Sequence, residues 1–166
     1  MLENMLLEEK TLRDKLTNAY NREFFENNYQ KLIETFKSED MYFGLAMIDI
    51  DNFKNINDSY GHNIGDEILI NLVSIINKFS RNDDILIRWG GEEFIIILKV
   101  SSENRLNVIL ENIRKTIEKS KIDKLPTITC SFGGTIYENN EQINDTIKRA
   151  DEALYIAKAN GKNKVI

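Results

Sequence analysis

Cysteine, histidine and proline are nearly missing from this 166-residue chain, which has one of each. Because Cys130 is alone, no intrachain disulfide can form, and its apolar, strand-like surroundings predict a small buried core residue rather than a nucleophile. His62 alone offers little to a histidine-based metal cluster or a Ser-His-Asp triad. Any metal must therefore be bound by oxygen atoms, which favours magnesium or manganese.

Long apolar runs and an excess of basic charge are missing as well. No stretch approaches the roughly 18 consecutive apolar residues of a membrane span, and no signal peptide is recognisable, so we expect a cytoplasmic protein without a membrane span. The net charge of −5 argues against nucleic-acid binding, which usually needs a basic face. With 42% hydrophobic and 30% charged residues and no linker or repeat, the chain is expected to form one globular domain.

The spacing of apolar residues predicts an ordered series of helices and strands. Helices are predicted over residues 20–36, 64–79, 103–119 and 145–160, and strands over 42–50, 85–89, 94–100 and 127–137, with a short edge strand at 164–166. In the second helix, Asp66 and Glu67 are expected in the first turn, where they suit the helix dipole. From the first of these strands onward, the order is the βαββαβ order of the α+β, ferredoxin-like fold, a palm-like antiparallel sheet flanked by helices.

The first sixteen residues predict a lead-in helix that precedes the domain over residues 17–166. A heptad places Leu2, Met5, Leu12 and Leu16 on its a and d positions, with Glu9 on the intervening a position. The pattern fits either a short coiled-coil-like helix or an ordinary amphipathic one.

The segment from Arg88 to Phe94 reads RWGGEEF and lies between two strand-like runs. Gly90 and Gly91 predict a β-hairpin, because glycine tolerates the positive φ of tight hairpin turns. The adjacent Glu92 and Glu93 repel each other unless water or a cation compensates them. Two glycines followed by carboxylates also fit a phosphate site, since a backbone without Cβ atoms lets an anionic ligand and its metal approach closely.

A second polar block begins at Asp49, where the strand over 42–50 ends, and it reads DIDNFKNINDSYGHNIGD up to Asp66. In the βαββαβ topology the first and third strands are neighbours in the middle of the sheet. Asp49 is therefore expected beside Glu92, although 43 positions separate them. Magnesium would relieve the repulsion between two such carboxylates while recruiting phosphate oxygens.

Together with the opening stretch DKLTNAYNR at 14–22, these blocks resemble the GGDEF domain, the family of diguanylate cyclases, in its GGEEF spelling. The opening match is partial, since Asn18 and Ala19 replace the usual Gly-Leu, and Asn52 stands where an aromatic residue is common. The resemblance implies an enzyme that condenses two GTP into cyclic di-GMP with release of pyrophosphate. Each domain would be half of the enzyme, so a homodimer is expected to form the complete site.

The resemblance also implies metal ligands and phosphate contacts. Asp49, the backbone carbonyl of Ile50 and Glu92 are expected to bind two Mg²⁺ (or Mn²⁺) ions at each GTP site, with Glu93 supporting them. Lys54, which we count with the catalytic residues, is expected to contact phosphate. Lys158 and Lys162, near the end of the chain, are also expected to contact phosphate. Lys162 stands where an arginine is common and so loses the bidentate fork.

By the same resemblance, Asn57 and Asp66 match the family's guanine-reading residues, and the chemistry fits. A carboxylate accepts hydrogen bonds from the guanine N1–H and N2 amine, and an asparagine can donate and accept on the base edge. The remaining substrate-binding candidates are Phe53, His62, Gly90 and Gly91.

Arg81 and Asp84 spell RxxD, five residues before the Gly-Gly turn, which matches the position of the family's inhibitory site. An arginine fork can take guanine O6 and N7, while a carboxylate accepts from the N1 and N2 protons. Cyclic di-GMP is therefore expected as both product and inhibitor. By the same resemblance, the lead-in helix would connect an upstream sensor or receiver domain to this one.

Two other functions stay open at this point: a non-catalytic receptor for GTP or cyclic di-GMP, and a cyclase that makes a mixed dinucleotide. The intact GGEEF turn and Asp49 favour an enzyme over a receptor. Family variants that accept ATP change the position corresponding to Asp66, which is aspartate here.

Overall fold

The computed structural model describes residues 11–166. The predicted heptad helix at the N-terminus lies largely outside the described residues, and the coiled-coil interpretation stays a prediction. Within the described range, the helices are α1 (Arg22–Ser38), α2 (Phe53–Tyr60), α3 (His62–Phe79), α4 (Glu103–Lys119) and α5 (Ile143–Ala159). The strands are β1 (Tyr42–Ile50), β2 (Ile85–Arg88), β3 (Glu93–Val100) and β4 (Cys130–Ile136).

The four strands form one antiparallel sheet in the order β2-β3-β1-β4. This is the strand order of the ferredoxin-like fold, so the predicted α+β, palm-like architecture is confirmed. The expected edge strand at 164–166 is reduced to a single parallel bridge between Val165 and Phe132. No helix within residues 11–166 is long and apolar enough to cross a bilayer.

Helices cover both faces of the sheet, which explains why β1 is a nearly continuous apolar run. Ala46, Ile48 and Ile50 belong to a core shared with α3 and α4. The alternating residues Leu45 and Met47 belong to a second core, shared with α1 and α5. A central strand buried on both faces needs apolar residues at every position, so the first polar side chain in β1, Asp49, stands out.

Helix α2 was not predicted, because its sequence is too polar and too short to show an apolar stripe. It begins after Asn52, whose φ of +57° is left-handed, and Gly61 with a φ of +87° separates it from α3. Since this glycine lets one helix stop and the next begin at once, α3 starts at His62 rather than at residue 64. The prediction that Asp66 and Glu67 lie in the first turn is therefore wrong; they lie in the second.

Candidate active site

The acidic residues singled out in the sequence meet at one edge of the sheet. Asp49 is the penultimate residue of β1, and its register partner across the antiparallel pair is Glu93, the first residue of β3. Glu92 immediately precedes that strand. The topology therefore brings the carboxylate of β1 to the glutamate turn. Asp49 is paired with Glu93 and not with Glu92.

Asp49 has an unusual electrostatic environment, because it is only 6% exposed. Burial raises the pKa of its carboxyl to about 6, and the negative charges of Glu92 and Glu93 add to the rise. The ammonium of Lys158 on α5 opposes it, with Nζ 3.0 Å from Asp49 Oδ2. Three carboxylates and one lysine leave this edge with an excess of negative charge.

The donor set at this edge fits a hard divalent cation. Asp49 and Glu92 supply carboxylate oxygens and Ile50 supplies a backbone carbonyl, all of them oxygen ligands. Within residues 11–166 no three acidic, histidine or cysteine side chains are grouped as a ready metal cage. Magnesium does not need one, since it is usually held by one or two carboxylates, water and substrate phosphates.

The Gly-Gly turn is built differently from the expectation. Among the described residues, the glycines with positive φ are Gly61 and Gly161, so the prediction of positive φ at the Gly-Gly pair is wrong. A Cβ atom on Gly90 would lie 3.1 Å from Glu93 Oε2, a tight contact that a small movement of the glutamate would relieve. A Cβ on Gly91 would meet nothing within 4 Å, which leaves the tip of the turn open to a ligand.

A brace behind the turn was missed, although its residues lie in the quoted motifs. The guanidinium of Arg88 donates to the Gly91 carbonyl, with Nη2 at 2.9 Å, and to both oxygens of Asp14 at 3.0 and 3.2 Å. Asp14 also accepts from the amide and the hydroxyl of Thr17, at 2.8 and 2.7 Å. Burial opposes ionisation, but these bonds lower the pKa of Asp14. The opening block therefore supports the glutamate turn through one ion pair.

Asn57 is the candidate whose side chain points most clearly to a binding role. Its Oδ1 atom is buried and, within residues 11–166, has no hydrogen-bond partner. A Cβ atom on Gly65 would lie 1.9 Å from that oxygen, so only glycine fits beneath it. The ring of Phe53 is largely buried and packs at the same place, while Asp66 is exposed beside it. A buried acceptor without a donor is costly, which points to a ligand that supplies one.

The remaining cationic and histidine candidates lie at the surface around this edge. Lys54 and His62 are exposed, in the first turns of α2 and α3. Lys162 follows α5 and donates from Nζ to Asn52 Oδ1 at 2.5 Å, so it is tied to the loop after β1. Lys158 is the lysine that contacts an acidic site residue directly.

Asp51, the second aspartate of the block, has a structural role that the sequence did not reveal. It is 4% exposed and accepts from the hydroxyls of Thr129 and Ser131, at 2.7 and 2.6 Å. It also accepts from the backbone amide of Asn163 at 3.0 Å. Neutral donors thus satisfy its oxygens, whereas Asp49 faces Lys158 and other carboxylates.

The predicted inhibitory site lies in the turn between α3 and β2. Asp84 Oδ2 accepts from the Arg81 amide at 2.8 Å, and the Asp84 amide donates to the Arg81 carbonyl at 3.0 Å. Burial raises the pKa of Asp84. The Arg81 side chain is exposed, so its guanidinium is accessible at the surface, and the inhibitory role stays a prediction.

Comparison with known families settles the class of domain. The family described as "Diguanylate cyclase, GGDEF domain" matches residues 11–164. The chain is a GGDEF domain. It is 42% identical over 124 residues to diguanylate cyclase DgcM of Escherichia coli K12, covering 75% of this chain and 30% of that protein. It is 37% identical over 171 residues to diguanylate cyclase A of Treponema denticola, covering 99% and 46% respectively. The GGDEF domain thus spans less than half the length of these curated relatives.

Solved structures agree with this assignment. The coiled coil and GGDEF domain of DgcB from Caulobacter crescentus, in complex with c-di-GMP, matches with a TM-score of 0.90 and 28% identity, covering 98% of this chain and 88% of that one. Diguanylate cyclase SiaD from Pseudomonas aeruginosa, in complex with its activator SiaC, matches with a TM-score of 0.88 and 31% identity, covering 99% and 64%.

Proposed function

We propose that this GGDEF domain is a diguanylate cyclase, which condenses two GTP molecules into cyclic di-GMP and releases two pyrophosphates. The observation that carries the proposal is the buried Asp49 carboxylate, which meets an intact GGEEF turn with Lys158 3.0 Å away. Relatives named diguanylate cyclases support it. A receptor that only binds nucleotide would not need to keep these repelling carboxylates together.

Each half of the reaction forms one phosphodiester bond. The 3′-hydroxyl oxygen of one GTP attacks the α-phosphorus of the other, the bond to pyrophosphate breaks, and the hydroxyl proton leaves to solvent. Because one domain with one GTP supplies one hydroxyl and one α-phosphate, two domains must face each other to close the ring. Much of the rate acceleration then comes from positioning the two nucleotides across a homodimer.

Asp49, the carbonyl of Ile50 and Glu92 would hold Mg²⁺ or Mn²⁺, two ions at each GTP site, with Glu93 supporting the set. When bound, such ions neutralise and orient the triphosphate and favour departure of the pyrophosphate. Lys158 would then exchange its carboxylate partner for a phosphate oxygen. Two further cations would contact phosphate: Lys54 from the first turn of α2, and Lys162 from the turn after α5.

Guanine recognition would fall to Asn57 and Asp66. The orphan Asn57 Oδ1 can accept a hydrogen bond from the base, and the exposed Asp66 carboxylate can accept from N1–H and N2. Adenine lacks those donors, so it would leave the acceptors unpaired at a cost of about 1–3 kcal/mol. Arg81 and Asp84 would bind the product guanine and slow the enzyme as cyclic di-GMP accumulates.

The direct experiment incubates the purified protein with GTP, with ATP and with both, in the presence of Mg²⁺, and separates the products by chromatography. Cyclic di-GMP and pyrophosphate should appear from GTP alone. Bound but unconverted GTP would indicate a receptor, and a mixed dinucleotide would indicate the other kind of cyclase; either result would contradict the proposal.

The homodimer has its own test. Specific activity should rise with protein concentration while the domain is dilute, because the complete site forms only when two domains meet. Specific activity that stays constant from nanomolar to micromolar protein, with only monomer in solution, would contradict a shared site.

A further inference from the structure

The turn that follows α5 has a strained backbone. Gly161 has a φ of +103°, and the next two residues, Lys162 and Asn163, have φ values of +63° and +47°. A left-handed backbone is unfavourable for residues with a Cβ atom, and more so for lysine than for asparagine. A run of such residues persists only where other contacts enforce it. Asn52 on the facing loop is also left-handed, with a φ of +57°.

The first contact that enforces this turn comes from the loop after β1. The amide of Asn163 donates to Asp51 Oδ2 at 3.0 Å. Asp51 cannot shift easily, because it is buried, its Oδ2 also accepts from Thr129, and its Oδ1 accepts from Ser131. The strained turn is therefore anchored to a carboxylate that is itself fixed to the sheet.

The second contact comes from α4. Asn163 Oδ1 accepts from Arg114 Nη1 at 2.6 Å, and its Nδ2 donates to Glu118 Oε1 at 2.8 Å. Arg114 is 9% exposed and already forms ion pairs with Glu111 and Glu118 on its own helix. Since α4 satisfies this arginine without help, the bonds to Asn163 link the helix to the turn and are not needed for the helix itself.

These four residues, Asp51, Arg114, Glu118 and Asn163, are called the exit-turn clamp below. Asn163 follows Lys162, whose Nζ lies 2.5 Å from Asn52 Oδ1. It also lies five residues after Lys158, which contacts Asp49. A lysine side chain has four rotatable bonds, so its ammonium is well placed only if its backbone is fixed.

We propose that Asn163 is a positioning residue, through which the exit-turn clamp holds Lys162 in place for the triphosphate of the nucleotide. The proposal rests on the proposed function, because it takes a nucleoside triphosphate as the ligand of this edge. It adds that affinity for the triphosphate is set from α4, through side chains that do not touch the nucleotide.

A double-mutant cycle tests the clamp. Asn163→Ala, Lys162→Met and the double variant are compared by the competition of GTP and of GMP with a fluorescent guanine nucleotide. Asn163→Ala should weaken GTP by about tenfold, the size of one charge-assisted hydrogen bond, and GMP by less than about threefold. In the Lys162→Met background the same change should cost less than about twofold for GTP, because the lysine it positions is gone.

Two further variants weaken the contacts between α4 and the turn, keep the bond to Asp51, and guard against misfolding. Asn163→Gly keeps a residue suited to positive φ and keeps the amide bond to Asp51, but loses both side-chain bonds. Arg114→Met removes one of the two bonds between α4 and Asn163, the other being to Glu118, and leaves the sequence of the turn unchanged. Both should lower the GTP-to-GMP affinity ratio, by less than Asn163→Ala does. The matched control is Glu141→Gln at the opposite end of the sheet, which should lower the melting temperature without changing that ratio.

The outcomes distinguish the clamp from the proposed function. If GTP binds wild type more tightly than GMP but the cycle is additive, the clamp is overturned and the proposed function stands. If the control lowers the ratio as much as Asn163→Ala does, the effect is one of stability and the clamp is likewise overturned. If wild type binds GTP no better than GMP, both are overturned.

Discussion

Two carboxylates with little side-chain exposure, at opposite ends of the sheet, titrate in opposite directions. The side chain of Asp49 is 9% exposed and that of Glu141 is 13% exposed. Burial raises the pKa of Asp49 to about 6. The pKa of Glu141 is lowered to about 2, mainly by hydrogen bonding to Arg149. Asp49 is the more deeply buried of the two, so burial raises its pKa, whereas hydrogen bonds dominate at Glu141.

The difference lies in burial and in the donors around each group. Glu141 accepts from Arg149, from the Thr146 hydroxyl at 2.6 Å and from the Glu138 amide at 2.7 Å. Asp49 has one lysine against two neighbouring glutamates. At the Glu141 end the chain completes its own hydrogen bonds, whereas at the Asp49 end it leaves negative charge for a cation and a nucleotide to complete. The two ends should accordingly respond to mutation in opposite ways.

The largest expected effect is on catalysis at the acidic edge. Glu92→Gln should lower the rate of cyclic di-GMP synthesis at least a thousandfold, which corresponds to about 4 kcal/mol of transition-state stabilisation. The fold should survive, because Glu92 lies in a turn and the substitution removes a repelling charge. The rate is measured by product chromatography and the fold by circular dichroism. Turnover within tenfold of wild type would remove Glu92 from the metal site.

A smaller effect, a loss of GTP affinity, is expected from a change at Gly65, which makes room for the side chain of Asn57. Gly65→Ala places a methyl group where Asn57 Oδ1 now lies, so the amide must move. We expect GTP affinity to fall about tenfold to a hundredfold, since one buried hydrogen bond and its geometry are lost. Competition binding with ATP is the control, and it should change less. Equal losses for both nucleotides would mean that Asn57 does not read the base. The same assay applies to Asp66→Ala, with the same expected preference.

The opposite end of the sheet should show the reverse pattern. Glu141→Gln should lower the free energy of unfolding by about 2 kcal/mol, as expected for hydrogen bonds to a charged group, and leave turnover unchanged. The stability that ionised Glu141 contributes is present above its ordinary pKa of 4.5 and is lost as pH falls through its folded-state pKa of about 2. Urea denaturation of both proteins at stepped pH should therefore show the difference shrinking below pH about 4.5. A difference that does not vary with pH would contradict the ion pair.

The smallest effect on the initial rate is expected in the turn between α3 and β2. Arg81→Ala removes an exposed guanidinium and leaves the backbone bonds with Asp84 in place. The initial rate should stay nearly unchanged, while product should accumulate past the level at which wild type stalls. Progress curves with added cyclic di-GMP make the comparison. If the variant slows as wild type does, or wild type does not slow, the site has no inhibitory function.

The fold was predictable where burial dominates. The apolar runs marked β1 and β3, and the stripe at 103–119 gave both ends of α4. Strand order followed from the order of elements, and with it the meeting of Asp49 and the glutamate turn. Helix α2 was missed because its polar residues hide the helical period. The Gly-Gly pair was misjudged because its backbone does not adopt positive φ.

The parts of the site that could not be predicted depend on contacts between distant side chains. Asp49 and Asp51 are two positions apart on one short motif, yet one faces an open acidic edge and the other is enclosed by hydroxyls. Nothing local separates them, because the partners of Asp51 come 78 and 80 residues later, and Asn163 comes 112 residues later. Arg88 and Asp14 are likewise joined across 74 residues.

The most direct measurement pairs Asp49→Asn with Glu141→Gln and determines turnover with GTP and the free energy of unfolding for both variants in the same buffer. Asp49→Asn should lose turnover at least a thousandfold and keep or gain stability, because it removes a buried charge that two glutamates repel. Glu141→Gln should lose stability and keep turnover. An active Asp49→Asn protein, or an inactive Glu141→Gln protein of wild-type stability, would contradict the assignment of catalysis to the acidic edge.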